Sequence, residues 1–190
     1  MRGAVRAGET ESAAGVAPWE STPIYRCSLP GSAPLNAAIL EGFQSLVPED
    51  FERRTHLIRG RYENLYLDPA RIPALGTVLD YGLECAARIL GQPVGGLRRG
   101  FWLNAMGPGE STSEHIHDEN DELLSAVYYV VAAERSGELI LYDGPLTIRV
   151  EPVAGTFLFF PPDLPHAVET NLSPRLRLSL GINFGPRSRV

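Results

Sequence analysis

"GELILYDGPLTIRVEPVAGTFLFFPP", residues 137–162, decides the fold. Three short runs, 137–143, 146–152 and 155–161, are rich in aliphatic, β-branched and aromatic residues, and each is closed by Gly, Pro or Asp. Runs this short read as strands, and the "YDGPLT" junction between two of them is a hairpin signal. The same texture continues on both sides: "LRRGFWLNAM" (97–106), "LLSAVYYVVA" (123–132), "HAVET" (166–170) and "RLRLSLGINF" (175–184). So many short strands at such spacing predict a sandwich or barrel of the jelly-roll kind, a double-stranded β-helix spanning about residues 96–185.

Upstream the period changes. "TPIYRCSL" (22–29) reads as a strand. In 33–47, Leu35, Ile39, Leu40, Phe43, Leu46 and Val47 fall at helical spacing, and Pro48 ends the run. Residues 67–91 read as a second helical region, with Asp68 as N-cap, Pro69 in the first turn and Gly91 as the stop. The expected class is therefore mainly β with N-terminal α-helices: a helical layer over about 33–91, then the β core. Residues 1–20 are small and polar and are expected to be disordered, leaving 21–190 as one domain.

Composition narrows the function classes. A net charge of −6 disfavours a nucleic-acid partner, since phosphate binding calls for a basic surface. No apolar run approaches the 18 residues of a membrane span, and the first twenty residues lack the apolar core of a signal peptide, so the expected compartment is the cytoplasm. Cys27 and Cys85 form no metal or disulfide pattern. A homodimer through the helical layer is compatible with this layout.

The chemistry gathers at "SEHIHDENDE" (113–122). In an extended chain residues i and i+2 point the same way, so His115 and His117 present two imidazoles to one point. His166, after "FFPPDLP", stands at the edge of a later strand and supplies a third imidazole if the strand edges converge. Three ligands with open positions opposite suit an oxygen-handling iron, although imidazole also serves Zn, Cu and Ni. His117 with Glu119, an H-x-E, is the other reading of the first pair. The acidic run Asp118–Glu122 beside it is either a solvated face or a selector for a cationic substrate.

From "FWLNAMGPGESTSEHIHDENDELLSAVYYVV" through "GELILYDG" and "EPVAGTFLFFPPDLPHAVET" to "RLSLGINF", the chain resembles the 2-oxoglutarate, Fe(II)-dependent oxygenases. The likeness is to a small bacterial and phage subgroup with H-x-H, and covers about residues 97–184. Asn104, Pro108, Gly109 and His115 also match the spacing of alkylation-repair demethylases. The resemblance implies His115, His117 and His166 as Fe(II) ligands, with His117 where most of the family carries a carboxylate. It implies Arg177 and Ser179 on the distal carboxylate of 2-oxoglutarate, with Tyr129 and Asn104 as further contacts to that cosubstrate. O2 would be the second cosubstrate, and hydroxylation of a small molecule or peptide the outcome. The same segment resembles the first cupin motif through Gly109, His115, His117 and Glu122, which implies a three-histidine metalloprotein that does not use 2-oxoglutarate. A metal-free jelly-roll binding module is the third reading.

Overall fold

The computed structural model describes residues 21–117 and 121–187. The expected disordered tail, and Asp118 and Glu119 of the acidic run, lie outside the described residues. Eleven strands and two α-helices are described in chain order. They are β1 (Tyr25–Ser28), α1 (Ser32–Ser45), β2 (Arg53–Ile58), β3 (Arg61–Tyr66), α2 (Ala74–Leu90), β4 (Leu97–Met106), β5 (Thr112–His115), β6 (Leu124–Val131), β7 (Leu139–Asp143), β8 (Leu146–Val150), β9 (Thr156–Phe160), β10 (His166–Val168) and β11 (Arg177–Pro186).

All pairs are antiparallel, and among the described residues they form two sheets rather than one closed barrel. The large sheet runs β1-β9-β6-β11-β4-β3-β2, and the small one β5-β10-β7-β8. Met106, Leu139, Leu141, Leu158, Phe160 and Val168 pack the two together. The helices cover the other face of the large sheet, where Leu75, Val78, Leu79 and Ala86 of α2 meet Tyr128, Phe157, Phe159, Leu180 and Phe184. This explains the unbroken apolar run of β9. Its five residues are all buried, because Phe157 and Phe159 face the helices while Leu158 and Phe160 face the small sheet. On β6 the neighbouring tyrosines divide the same way: the Tyr128 hydroxyl donates to Asn36 Oδ1 of α1 at 2.7 Å, and Tyr129 points between the sheets over Arg177.

The expected helical layer is not continuous. Residues 53–66 form the β2–β3 hairpin, which extends the large sheet beyond β4. Its two-residue turn, Arg59–Gly60, has φ of 51° and 86°, the mirror-image turn that matches strand twist. The second helix also starts later than residue 67. Asp68 does cap, accepting from Ala70 N at 2.9 Å, but it caps a single 3-10 turn over Pro69–Arg71. Ile72, kept out of the helical region by the proline after it, separates that turn from α2. The cysteines, unpatterned in sequence, are brought together: Cys27 Sγ of β1 lies 3.0 Å from Cys85 Sγ of α2.

Candidate active site

The three histidines of the β half converge between the sheets. β5 pairs with β10 so that His115 stands directly opposite His166. His117, two residues on, continues the extended path, its N–H donating to Pro162 O at 2.7 Å. The ring centroids of His115, His117 and His166 lie 4.9, 4.3 and 5.0 Å apart pairwise, and one nitrogen from each falls within 4.8 Å of the others. That is close enough for one metal ion. No other cluster of this kind occurs among the described residues.

The supporting contacts set the tautomers. His115 Nδ1 lies 2.8 Å from Ser113 O, and His166 Nδ1 lies 2.8 Å from Leu164 O. A carbonyl oxygen only accepts, so Nδ1 carries the proton in each ring and Nε2 keeps its lone pair for the centre of the cluster. Burial, then the neighbouring imidazoles, push His117 from 6.5 down to about 3, and burial and His115 push His166 down to about 4. Neutral imidazole is the form that binds a metal.

These depressed values fix a sign. Between pH 6.5 and about 4 the unfolded chain binds protons at these two positions that the folded chain refuses. Stability from this source is complete above pH 6.5 and is lost as pH falls through that window. The metal-free protein should therefore melt at progressively lower temperature from pH 7 to pH 4. In H117Q/H166Q the part of that slope above pH 5, where carboxylates contribute least, should flatten. An unchanged slope in the double variant would locate the acid sensitivity elsewhere.

Beyond the histidines the chamber narrows toward a buried cation. Its lining includes Trp102, Asn104, Thr112, Phe160, Arg177, Ser179 and Gly181. Arg177 is 1% exposed. Its Nη1 reaches Ser179 Oγ at 3.1 Å, while Nε and Nη2 have no hydrogen-bond partner. The Tyr129 hydroxyl is likewise buried and without a partner, and the Arg177 guanidinium lies 5.3 Å from the Tyr129 ring centroid. Burial raises the Tyr129 pKa and lowers that of Arg177. No carboxylate of the chain pairs with Arg177 among the described residues. A buried guanidinium left so bare is costly, and an anion entering the chamber would relieve that cost. Asn104 is held at both ends, accepting from Arg61 Nη1 at 3.2 Å and donating to Thr112 Oγ1 at 3.1 Å.

Outside the histidines a groove of about 700 Å³ opens, walled by Arg53, His56 and Tyr66 of the hairpin and by Phe101, Trp102 and Ile116. His56, the fourth histidine, lines this groove and is not one of the three clustered ligands, though its charge also acts on His117. Trp102 lines both spaces. Its ring lies 5.1 Å from that of His117 and covers Gly181 of the adjacent strand. A Cβ on Gly181 would come within 2.3 Å of the indole. Gly181→Ala should therefore displace Trp102 and cost about 1–3 kcal/mol, read as a lower melting temperature with altered tryptophan fluorescence. An unshifted melt would show that the ring yields freely. Of the acidic run, Asp121 is paired with Arg98, and Glu122 faces the groove.

Several supporting residues carried no signal in the sequence. Glu63 of β3, 4% exposed, takes Arg61 Nη2 at 3.2 Å and Ser113 N at 3.3 Å, so the hairpin braces the strand that carries His115. Asn171, fully buried, donates to Met106 O and Arg175 O and accepts from Ser173. It thereby fixes the turn that leads into Arg177. Both roles depend on partners distant in sequence, and only the unusual burial of a Glu and an Asn discloses them.

No protein-family model and no curated protein matches the chain by sequence. Its structural neighbours are 2-oxoglutarate, Fe(II) oxygenases, and the chain has their fold. A Pseudomonas putida prolyl-4-hydroxylase is similar at TM-score 0.69 and 19% identity, over 86% of this chain and 93% of that one. The Trichoplax adhaerens prolyl hydroxylase, solved with a peptide of hypoxia inducible factor, is similar at 0.66 and 15%, over 85% and 83%. The epimerase SnoN, solved with Fe3+, alpha ketoglutarate and nogalamycin RO, is similar at 0.64 and 15%, over 87% and 79%. Among the described residues, no helix is long and apolar enough to cross a membrane.

Proposed function

We propose that this chain is an Fe(II)- and 2-oxoglutarate-dependent oxygenase that couples decarboxylation of 2-oxoglutarate to hydroxylation, or a related C–H oxidation, of a small molecule or peptide. The observation that carries the proposal is the buried, unpaired Arg177 with the unpaired Tyr129 hydroxyl, at the end of a chamber whose entrance holds three histidines. A three-histidine metalloprotein without an anionic cosubstrate would leave that cation uncompensated. The SnoN complex with iron and alpha ketoglutarate supports the same reading by analogy of fold.

The residues fit the groups. His115, His117 and His166 would hold the iron, which with 2-oxoglutarate supplies the oxidising chemistry at O2. Arg177 would take the distal carboxylate through the two nitrogens that lack partners, since its planar fork matches a carboxylate. The Tyr129 hydroxyl and Ser179 Oγ would complete that end, and Asn104 retains one amide hydrogen for the cosubstrate. Trp102 and Phe160, against His117 and His166, keep water from the buried side. With three neutral imidazoles no protein carboxylate offsets the ion's charge, so the dianionic cosubstrate would do so, and Arg177 adds to that attraction. The outer groove is of the size that takes a small molecule or one peptide side chain. Asp121 is paired with Arg98, and Arg53 and Glu122 both line this groove, so its described charge is mixed.

The test is anaerobic titration of Fe(II)-loaded protein with 2-oxoglutarate, reading the visible metal-to-ligand charge-transfer band. Saturable growth of the band is expected. Bound iron with no band would favour the cupin-type reading, and no stoichiometric iron in protein purified without an affinity tag would favour a metal-free binding module.

A further inference from the structure

We infer that Cys27 and Cys85 are a redox couple that closes into an intramolecular disulfide, clipping β1 to α2. They are the only two cysteines of the chain, 58 residues apart in sequence, and their sulfurs are 3.0 Å apart. That is well inside the contact distance of two unbonded sulfurs and about 1 Å from the length of a disulfide. Two different elements bring them there. Cys27 stands opposite Phe157 in the β1–β9 ladder, and Cys85 lies on the face of α2 that packs on this sheet. Gly82, one helical turn before Cys85, lets α2 approach closely: a Cβ at Gly82 would come within 2.9 Å of the Phe157 ring.

The two thiols differ in a way that orders the chemistry. Cys27 is half-buried and Cys85 buried. Burial pushes the Cys85 thiol up to about 12, so it makes a poor first nucleophile. Cys27 donates toward the Tyr81 hydroxyl at 3.4 Å, and that hydroxyl donates to Ser28 O at 3.0 Å. With oxidised glutathione as the oxidant, the Cys27 thiolate attacks one sulfur and releases one glutathione. The Cys85 thiol then loses its proton, attacks Cys27 Sγ and expels the second glutathione. Two protein thiols are oxidised and one glutathione disulfide is reduced to two thiols.

The clip would act on the β1 strap. Thr22 of this segment binds Asp143 of the small sheet through both its N–H and its hydroxyl, at 2.8 and 2.6 Å, and Leu29 N donates to Gly155 O at 2.9 Å. The segment thus ties the β1 edge of the large sheet to the end of β7 in the small sheet, and a covalent tie to α2 would hold it against local opening. The sulfurs lie on the helix-covered face of the large sheet, opposite the histidine face. Oxidation is therefore expected to change stability and leave the metal site alone.

The experiment treats the full chain with reduced and with oxidised glutathione and reads intact mass, thiols titrated in denaturant, and melting. Expected after oxidation are the loss of two hydrogens in mass, no titratable thiol and no retained glutathione. The melting temperature should rise on the order of 10 °C, as for closure of a loop of this length. Fe(II) stoichiometry should be unchanged. In Cys85→Ser a glutathione adduct should persist on Cys27, and in Cys27→Ser the melting temperature should not respond to oxidant. Two thiols surviving in oxidised wild type, or a stable glutathione adduct on wild-type Cys27, would overturn the couple.

Discussion

Arg177→Met is expected to weaken 2-oxoglutarate binding roughly 30- to 100-fold, to leave iron stoichiometry unchanged, and to make the ligand-free protein no less stable than wild type. The first effect follows from losing a charge-assisted pair worth about 2–3 kcal/mol. The last has the opposite sign from an ordinary core substitution. In the ligand-free chain Arg177 is 1% exposed with two nitrogens unpaired, and burying such a group is unfavourable. A methionine of similar length keeps the packing beside Met106 and removes the charge. A structural arginine would behave in reverse, with a clear loss of melting temperature and unchanged 2-oxoglutarate affinity. Tyr129→Phe is the milder companion. Its hydroxyl lies beside the Arg177 guanidinium without a direct hydrogen bond, so the free protein should melt nearly as before, while the affinity should drop about 2- to 10-fold.

The β core was legible because its strands carry their own punctuation. β4 begins and ends where composition places it, and β6 to β9 lie within a residue or two of the runs between Gly, Pro and Asp turns. The β2–β3 hairpin was not legible, for physical reasons. It sits at the edge of the large sheet, most of β2 is exposed, and no buried face imposes an apolar alternation on "RRTHLI". Its turn residues, Arg59–Gly60, replace the Asn-Gly or Asp-Gly that normally announce such a turn. The late start of α2 was missed because a capping Asp and a following Pro announce a 3-10 turn as readily as an α-helix, and Pro73 decided between them.

At the site, spacing alone brought His115 and His117 to one side of an extended chain, while the approach of His166 required the β5–β10 register. The candidate role of Arg177 came only by resemblance; its burial and lack of partners are properties of the folded chain. Arg175, two residues earlier and equal to it in sequence terms, is exposed. The Cys27–Cys85 approach depends wholly on how α2 docks on β1, and no local pattern encodes that.

His166→Ala should remove iron retention while the fold survives. Losing a supporting contact to a metal ligand typically costs roughly 10- to 100-fold in affinity, and losing one of three ligands should exceed that. The fold should tolerate the change, because His166 contributes one hydrogen bond to Leu164 O and a ring contact with Phe160, at the end of a three-residue strand. The expected stability cost is about 1–3 kcal/mol for a buried carbonyl left unpaired and a small cavity. The proper control is His56→Ala. His56 lines the same groove but lies outside the cluster, and its Nδ1 is occupied by Thr55 and Asn64, so iron should remain at the wild-type level. His117→Asp tests the remaining question of charge. A carboxylate there would neutralise part of the ion's charge that three imidazoles leave uncompensated, so iron should be kept and the attraction for a dianionic cosubstrate reduced. Full iron occupancy in His166→Ala would remove this residue from the ligand set. Equal iron loss in His56→Ala would mean that the metal sits in the outer groove.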